Sequence, residues 1–389
     1  MKVLSVIGTR PEAVKMAPVI RALAQLPGME ARVCSTAQHR QMLDQVLDLF
    51  QIRPDYDLDL MREYQSLPEL SAAIFTGLHP VLIDFRPDWI LVEGDTTTVA
   101  IAALLAYYLR IRVGHVEAGL RTHDKWHPFP EELNRRVATV VADLHFAPTE
   151  LERHNLLQEG IEDRLIVVTG NPVIDALLFV AEQPEPKEMT DLLQRLHVGI
   201  PTDAGGARSM ASEMAGSASP QRLILVTAHR RESFGAPLEA IFQALKELAS
   251  RGDVEIVYPV HFNPNVQEPA RRILGETPHV TLLPPLDYLG VVHLMKRATL
   301  VLTDSGGIQE EAPTFGKPVL VLREVTERPE GIEAGTSKLV GTDPRRIIEQ
   351  AGLLLDDPVA YARMAQAANP FGDGHAAEKI VRALLDFNG

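Results

Sequence analysis

The sequence is short of cysteine. Cys34 stands alone among 389 residues, which excludes an internal disulfide framework and any zinc site built on several cysteines. Its apolar neighbours place it in a core. Cations are in deficit: 38 Lys plus Arg face 52 Asp plus Glu, a net charge of −14. A general nucleic-acid or anionic-membrane binder leans the other way, so any anion site here must be assembled locally. Long apolar runs are missing. The longest candidate, Val99 to Leu109, is too short for a bilayer and holds two tyrosines. The opening MKVLSVIG shows no charged leader, apolar stretch and cleavage site, and the far end shows no lipidation signal. The expectation is a cytoplasmic protein. None of the 13 histidines falls in an HExxH or related spacing. His123 and His127 are four apart, but Pro128 and Pro130 argue against a helical metal pair. No catalytic metal is expected.

What is present is ordinary globular material, 46% hydrophobic and 23% charged, long enough for two or three domains of roughly 150 residues. Strand-like and helix-like stretches alternate from the start. Lys2 to Ile7, Ala31 to Ala37, Trp89 to Val92, Arg112 to Val116 and Ile166 to Thr169 read as strands. Helices read from Pro11, over Arg40 to Phe50, Thr96 to Leu109 and Glu131 to Ala142, after a capping box at Thr149 and Glu152, and from Pro172. The pattern then pauses. Residues 184–220 are rich in Pro, Gly and small polar residues and read as a flexible excursion, with one short helix near Met189 to Leu196. Alternation resumes with strands at Leu223 to Thr227, Val254 to Val260, Val280 to Leu283, Leu300 to Thr303 and Val319 to Leu322. Helices Pro237 to Ala249, Leu286 to Ala298 and Ala376 to Phe387 accompany them. The expected fold is α/β: two Rossmann-like, doubly wound parallel sheets facing across a cleft, with ligands outside the carboxyl ends of the strands.

Four groups of residues carry possible chemistry. Gly8-Thr9-Arg10-Pro11-Glu12, with Lys15 one turn on, joins a strand to a helix and offers free N–H groups beside two cations, an arrangement able to hold an anion. It is equally a capped turn with two solvated cations. Asp304-Ser305-Gly306-Gly307, ahead of Glu310 and Glu311, presents backbone donors suited to a diphosphate and carboxylates suited to ribose hydroxyls. Asp95, Glu117 and Glu131 follow strands or open a helix. Asp95 also suits a helix cap, and Glu131 a pairing with Arg135 at i+4. Glu117 directly follows a buried strand, where an unused carboxylate is costly. If the three meet, repulsion raises the pKa of at least one. His229 and His261 each follow a strand of the second half, where a structural imidazole and a functional one are equally in keeping.

Taken in order, GTRPEAVKMAPVI, VEGDTTT, GHVEAGLRT, PFPEELNRR, GNPVIDAL, TAHRRESFG, YPVHFNPN, TDSGGIQEEAP and TERPEGIEAGT closely resemble the bacterial non-hydrolysing UDP-N-acetylglucosamine 2-epimerases. The resemblance covers nearly the whole chain except residues 184–220. It implies the glycosyltransferase-B architecture, with residues 1–183 as a first domain, 184–221 as a linker, 222–370 as a UDP-binding domain, and 371–389 packing back onto the first. It implies reversible C2 epimerisation of UDP-N-acetylglucosamine to UDP-N-acetylmannosamine without metal or nicotinamide, and a homodimer. Residue by residue it makes Asp95, Glu117 and Glu131 catalytic, with His229 on the diphosphate side. It gives Arg10, Lys15, Arg135, Ser305, Gly306, Gly307, Glu311 and Arg328 to substrate binding. A second, activating UDP-N-acetylglucosamine is implied near Gln38, Gln41, Arg230 and His261. Tyr64 replaces an arginine of the family there, which points to weakened activation. Competing readings are a hydrolysing epimerase, a glycosyltransferase of the same fold, and a nucleotide-sugar sensor without turnover.

Overall fold

The computed structural model describes residues 1–37, 40–62, 65–198 and 221–387, with the backbone alone for residues 40–42. Gln38, the Gln41 side chain, Tyr64 and residues 199–220 of the expected linker lie outside the described residues. The chain divides into two compact units. One is Met1–Leu178 together with Phe371–Gly389, the other Phe179–Pro370.

The first unit runs β1 (Lys2–Ile7), α1 (Arg10–Ala24), β2 (Glu30–Ser35), α2 (Arg40–Leu49), β3 (Tyr56–Asp57), α3 (Leu67–Phe85), β4 (Trp89–Glu93), α4 (Thr97–Tyr108), β5 (Arg112–Val116), α5 (Glu131–Val141), β6 (Leu144–Ala147), α6 (Glu150–Gln158), β7 (Ile166–Val168) and α7 (Pro172–Ala181). The strands form one sheet in the order β3-β2-β1-β4-β5-β6-β7, every neighbouring pair parallel. Helices on both faces bury the central strands completely, which is why Val3, Leu4, Ile90, Leu91 and Val92 form unbroken apolar runs. The winding direction reverses between β1 and β4, so a crevice opens beyond the carboxyl ends of those two strands.

The second unit contains α8 (Lys187–Arg195), β8 (Arg222–Thr227), α9 (Ala236–Ala249), β9 (Val254–Pro259), α10 (Pro264–Leu274), β10 (Val280–Leu283), α11 (Tyr288–Arg297), β11 (Leu300–Thr303), α12 (Gly306–Glu311), β12 (Val319–Val321), α13 (Pro329–Glu333), β13 (Ser337–Leu339), α14 (Pro344–Asp356) and α15 (Pro358–Ala365). Its parallel sheet has the order β10-β9-β8-β11-β12-β13, reversing between β8 and β11. Residues 184–198, which read as part of the linker, pack within this unit: Arg297 donates to Glu185 at 3.0 Å, and Met189, Leu192 and Leu193 of α8 are buried.

Strands β3, β6 and β13 and helix α3 were not legible in the sequence. The strands are only two to four residues long. Gly77 and Pro80 interrupt the α3 pattern, although a capping box at Ser66 and Glu69 starts that helix.

The last helix, α16 (Ala376–Asp386), returns to the first unit and packs on α1. Its first turn is capped from a distance. The Asp175 carboxylate of α7 accepts from the amides of Ala376 (3.2 Å) and Ala377 (2.9 Å), and Asn171 N donates to Phe371 O at 2.7 Å. Beyond the helix, Phe387 lies edge-on to Trp89 at 5.1 Å, and the Arg112 guanidinium covers both rings. Replacing Asp175 by Ala should remove the cap and cost about 1–2 kcal/mol. Amide hydrogen exchange in α16 should then quicken by roughly 5- to 30-fold, with little change in α9 of the other unit.

Candidate active site

In the first unit, the sheet brings Glu12, Lys15, Glu93, Asp95 and Glu117 of the sequence motifs to the carboxyl ends of β1, β4 and β5, with Arg135 bonded to Asp95. Thr9 and Glu12 form a capping box at the start of α1. Glu12 does more than cap. One of its oxygens accepts from the amides of Gly8 and Thr9, the other from the Thr96 hydroxyl. Gly8 permits this closeness, since a Cβ there would fall 2.6 Å from Thr36 Oγ1 and 2.7 Å from Thr98 Oγ1. Burial pushes the Glu12 carboxyl up to about 7, against the pull of its three donors and with a further push from Asp95.

Lys15, one turn along α1, donates to Glu117 Oε2, and its Nζ lies 3.1 Å from Glu93 Oε1. Glu117 is buried and sits at φ +60°, a left-handed backbone unusual for a side chain of this size. Asn171 also donates to its Oε2, at 2.9 Å. The turn beyond it needs Gly119, at φ +97°, where a Cβ would lie 2.4 Å from Glu152 O. Glu93 is pushed well above the ordinary carboxyl range, first by burial and then by Glu117 and Glu12, with Lys15 opposing.

Asp95 does not cap its helix. Thr96 takes that role, and Asp95 receives two bonds from Arg135, Nε at 2.9 Å and Nη2 at 2.7 Å. Arg135 also reaches Glu132 at 3.3 Å, so the i+4 pairing expected for Glu131 is taken up elsewhere. Glu131 opens α5 with one carboxylate oxygen buried and without a hydrogen-bond partner among the described residues. Arg10 makes no ion pair among them. Burial raises both Glu12 and Glu93, neither of which the sequence motifs had assigned a role.

In the second unit, the organising group is Asp304, fully buried just past β11. Its Oδ2 accepts from the amides of His229 (2.6 Å) and Arg230 (2.7 Å), which fixes the turn after β8. Its Oδ1 lies 3.4 Å from His229 Nδ1. The His229 ring stacks on His261 with centroids 5.4 Å apart and planes at 9°. Burial lowers the His229 pKa, His261 and Arg230 add to that, and Asp304 opposes it. A neutral imidazole is favoured.

Ser305 stands at the N-cap of α12 without a side-chain cap bond, leaving the first amides of the helix uncapped by it. Two guanidinium groups flank them: a Cβ on Gly306 would lie 3.9 Å from Arg328 Cζ and 4.0 Å from Arg230 Nη2, and at Gly307 nothing lies within 4 Å. Arg328 is held by the buried Glu310, and Glu311, also buried, accepts from Tyr288 OH at 2.5 Å. Tyr288 escaped the sequence reading because its partner is 23 residues away, and Glu310, read there as a carboxylate for ribose hydroxyls, is instead taken up by Arg328, 18 residues on. Among the described residues, no three His, Cys, Asp or Glu side chains are grouped to hold a metal ion, and no helix is long and apolar enough to cross a membrane.

Comparison with known proteins identifies the family. A model of the UDP-N-acetylglucosamine 2-epimerase family matches residues 21–385. The chain is 54% identical to the UDP-N-acetylglucosamine 2-epimerase of Salmonella typhimurium, over all of this chain and 99% of that one. The structure of the Neisseria meningitidis UDP-GlcNAc 2-epimerase bound to UDP-GlcNAc is similar at a TM-score of 0.86 and 46% identity, covering both chains completely. An S. aureus protein solved with UDP is similar at 0.83 and 44%, over 98% of this chain and 95% of that one.

The raised Glu12 carboxyl has a consequence for stability. Its pKa is about 7 in the fold against 4.5 for the free side chain, so the folded state binds the proton more tightly. The stability this contributes is fully present below about pH 4.5 and is lost as pH rises through about 7. The urea midpoint of the wild type should therefore fall relative to that of Glu12→Gln across this window. Parallel curves for the two proteins would show that Glu12 titrates normally.

Proposed function

Since the chain belongs to the UDP-N-acetylglucosamine 2-epimerase family, we propose how its own residues carry that activity. The enzyme is an isomerase of glycosyltransferase-B-type α/β fold. It interconverts UDP-N-acetylglucosamine and UDP-N-acetylmannosamine without net hydrolysis, and so supplies N-acetylmannosamine units for surface polysaccharide. The C2 proton of the sugar is not acidic by itself. The C1–O bond to UDP therefore breaks first, its electron pair leaving with the diphosphate. A carboxylate takes the C2 proton as the C1–C2 double bond forms. The glycal then receives a proton at C2 from the other face, and UDP adds back at C1.

The observation that carries the assignment of roles is Glu117, held in a left-handed backbone by a strand end and bonded by Lys15 and Asn171. We assign it, with Asp95 and Glu131, to proton transfer at C2. Glu131 has a buried oxygen without a hydrogen-bond partner among the described residues. Asp95 is oriented by its two bonds from Arg135. On the other unit, the amides of Ser305, Gly306 and Gly307, with His229 and Arg328, receive the charge that develops on the leaving diphosphate. Neutral His229 serves there as a hydrogen-bond donor. Glu311 takes the ribose hydroxyls, Arg10 helps stabilise the leaving diphosphate, and Lys15 belongs to the same substrate-binding loop. We further propose a cytoplasmic homodimer with a second UDP-N-acetylglucosamine as activator, for which Arg230 and His261 supply a cation and a ring face. Gln38 and Gln41 belong to the same proposal.

In D2O, incubation with UDP-N-acetylglucosamine should place deuterium at C2 as UDP-N-acetylmannosamine appears in the proton NMR spectrum. Free N-acetylmannosamine with stoichiometric UDP would instead identify a hydrolysing enzyme. Initial rates in UDP-N-acetylmannosamine should rise when a little UDP-N-acetylglucosamine is added. Rates that ignore the addition would remove the activator from the scheme.

A further inference from the structure

Glu93 is the group that the proposed chemistry leaves unused. It ends β4, in register with Val116 at the end of β5, so it stands one strand away from Glu117. Its side chain is 2% exposed. Two carboxyls, Glu93 and Glu117, are buried against Lys15, with buried Glu12 close enough to act on Glu93. Arg135 is occupied by Asp95 and Glu132, and His115, whose Nε2 bonds Gly94 O at 2.7 Å, is driven by burial toward the neutral form, to about 4. Glu93 and Glu117 both ionised against one ammonium would leave one uncompensated charge in a buried place, which is strongly unfavourable. Glu117 is the one that Lys15 bonds. Glu93 Oε1 lies 3.1 Å from Lys15 Nζ, with no other partner among the described residues. With the ammonium bonded to Glu117, Glu93 is the member of the pair held as the neutral acid.

We propose that Glu93 is a positioning residue for the reaction: as a neutral acid beside Lys15, it seats the ammonium while leaving its charge to Glu117. The inference rests on Glu117 as a proton carrier. When Glu93 loses its proton at alkaline pH, Lys15 is shared between two anions. Glu117 is then less well compensated, and the ion pair loosens. The other charged group that acts on Glu93 is Glu12 from α1, whose own ionisation adds to the effect; Asp95, two residues on, is bonded by Arg135.

The test compares the wild type with Glu93→Gln and Glu93→Met through full pH profiles of kcat and KM for UDP-N-acetylglucosamine. Near-UV circular dichroism and UDP titration establish folding. Glu93→Gln is permanently neutral, so the alkaline limb of its kcat profile should move up by about one pH unit. Glu93→Met keeps the volume and loses the polar contact with Lys15. Its kcat should fall by roughly tenfold or more, with KM changed much less. Superimposable profiles for Glu93→Gln and the wild type would overturn the proposal. So would equal kcat values for Glu93→Met and Glu93→Gln. Failure of Glu93→Gln to fold would also count against it, because the amide is the isostere of the neutral acid. Glu117→Gln separates this inference from the reading beneath it. If that variant incorporates deuterium at C2 as the wild type does, the role of Glu117 is wrong. If it loses exchange while the Glu93→Gln profile stays in place, only the role of Glu93 is wrong.

Discussion

Parallel strands cannot be joined by a hairpin, and each connection has to cross the sheet and start again from the same edge. In both units this gathers the carboxyl ends of all strands at one edge, with the helix starts facing them. Lys15, Glu93, Asp95 and Glu117 are far apart in sequence and adjacent in space for that reason. So are His229, His261 and the run from Asp304 to Gly307. The reversal of winding between β1 and β4, and again between β8 and β11, separates neighbouring crossovers and leaves room for side chains to converge.

Convergence of this kind sets an electrostatic problem, and each unit solves it differently. The second unit buries Asp304 and satisfies it with backbone amides, turning a carboxylate into a clamp on the turn that carries His229 and Arg230. The first unit buries several carboxyls around few cations. Some are bonded by Arg135 or Lys15, and others are driven toward the neutral state by burial. A site that must both take and return a proton gains from holding carboxyls of different protonation tendency side by side.

Much of this was legible in the sequence, and what was not has identifiable physical reasons. The long central strands and the helices with strong capping residues, such as α1, α4 and α6, are visible because apolar periodicity and caps are local signals. Two- to four-residue strands such as β3 and β6 carry no such signal, since pairing with a neighbour defines them. Glu117 stands out in the sequence because a carboxylate after a buried strand is anomalous on its own. Glu12 does not: the capping box it forms with Thr9 is a common local motif, and its burial depends on Thr96, 84 residues away. Glu93 hides because a glutamate between a strand and Gly94 looks like an ordinary exposed strand end. Asp95 reads as a cap until Thr96 is seen to take that place. The grip of Tyr288 on Glu311 follows from tertiary packing alone.

The return of α16 to the first unit makes that unit discontinuous in sequence, whereas residues 179–370 of the second are contiguous. During synthesis the two halves therefore cannot mature in the order in which they are translated. Residues 1–178 emerge first but wait, with the Asp175 carboxylate and the flank of α1 uncovered, until residues 371–387 have left the ribosome. The second unit, begun later, has all of its residues earlier. Any nascent-chain factor that shields exposed apolar surface would thus meet the amino-terminal half for longest.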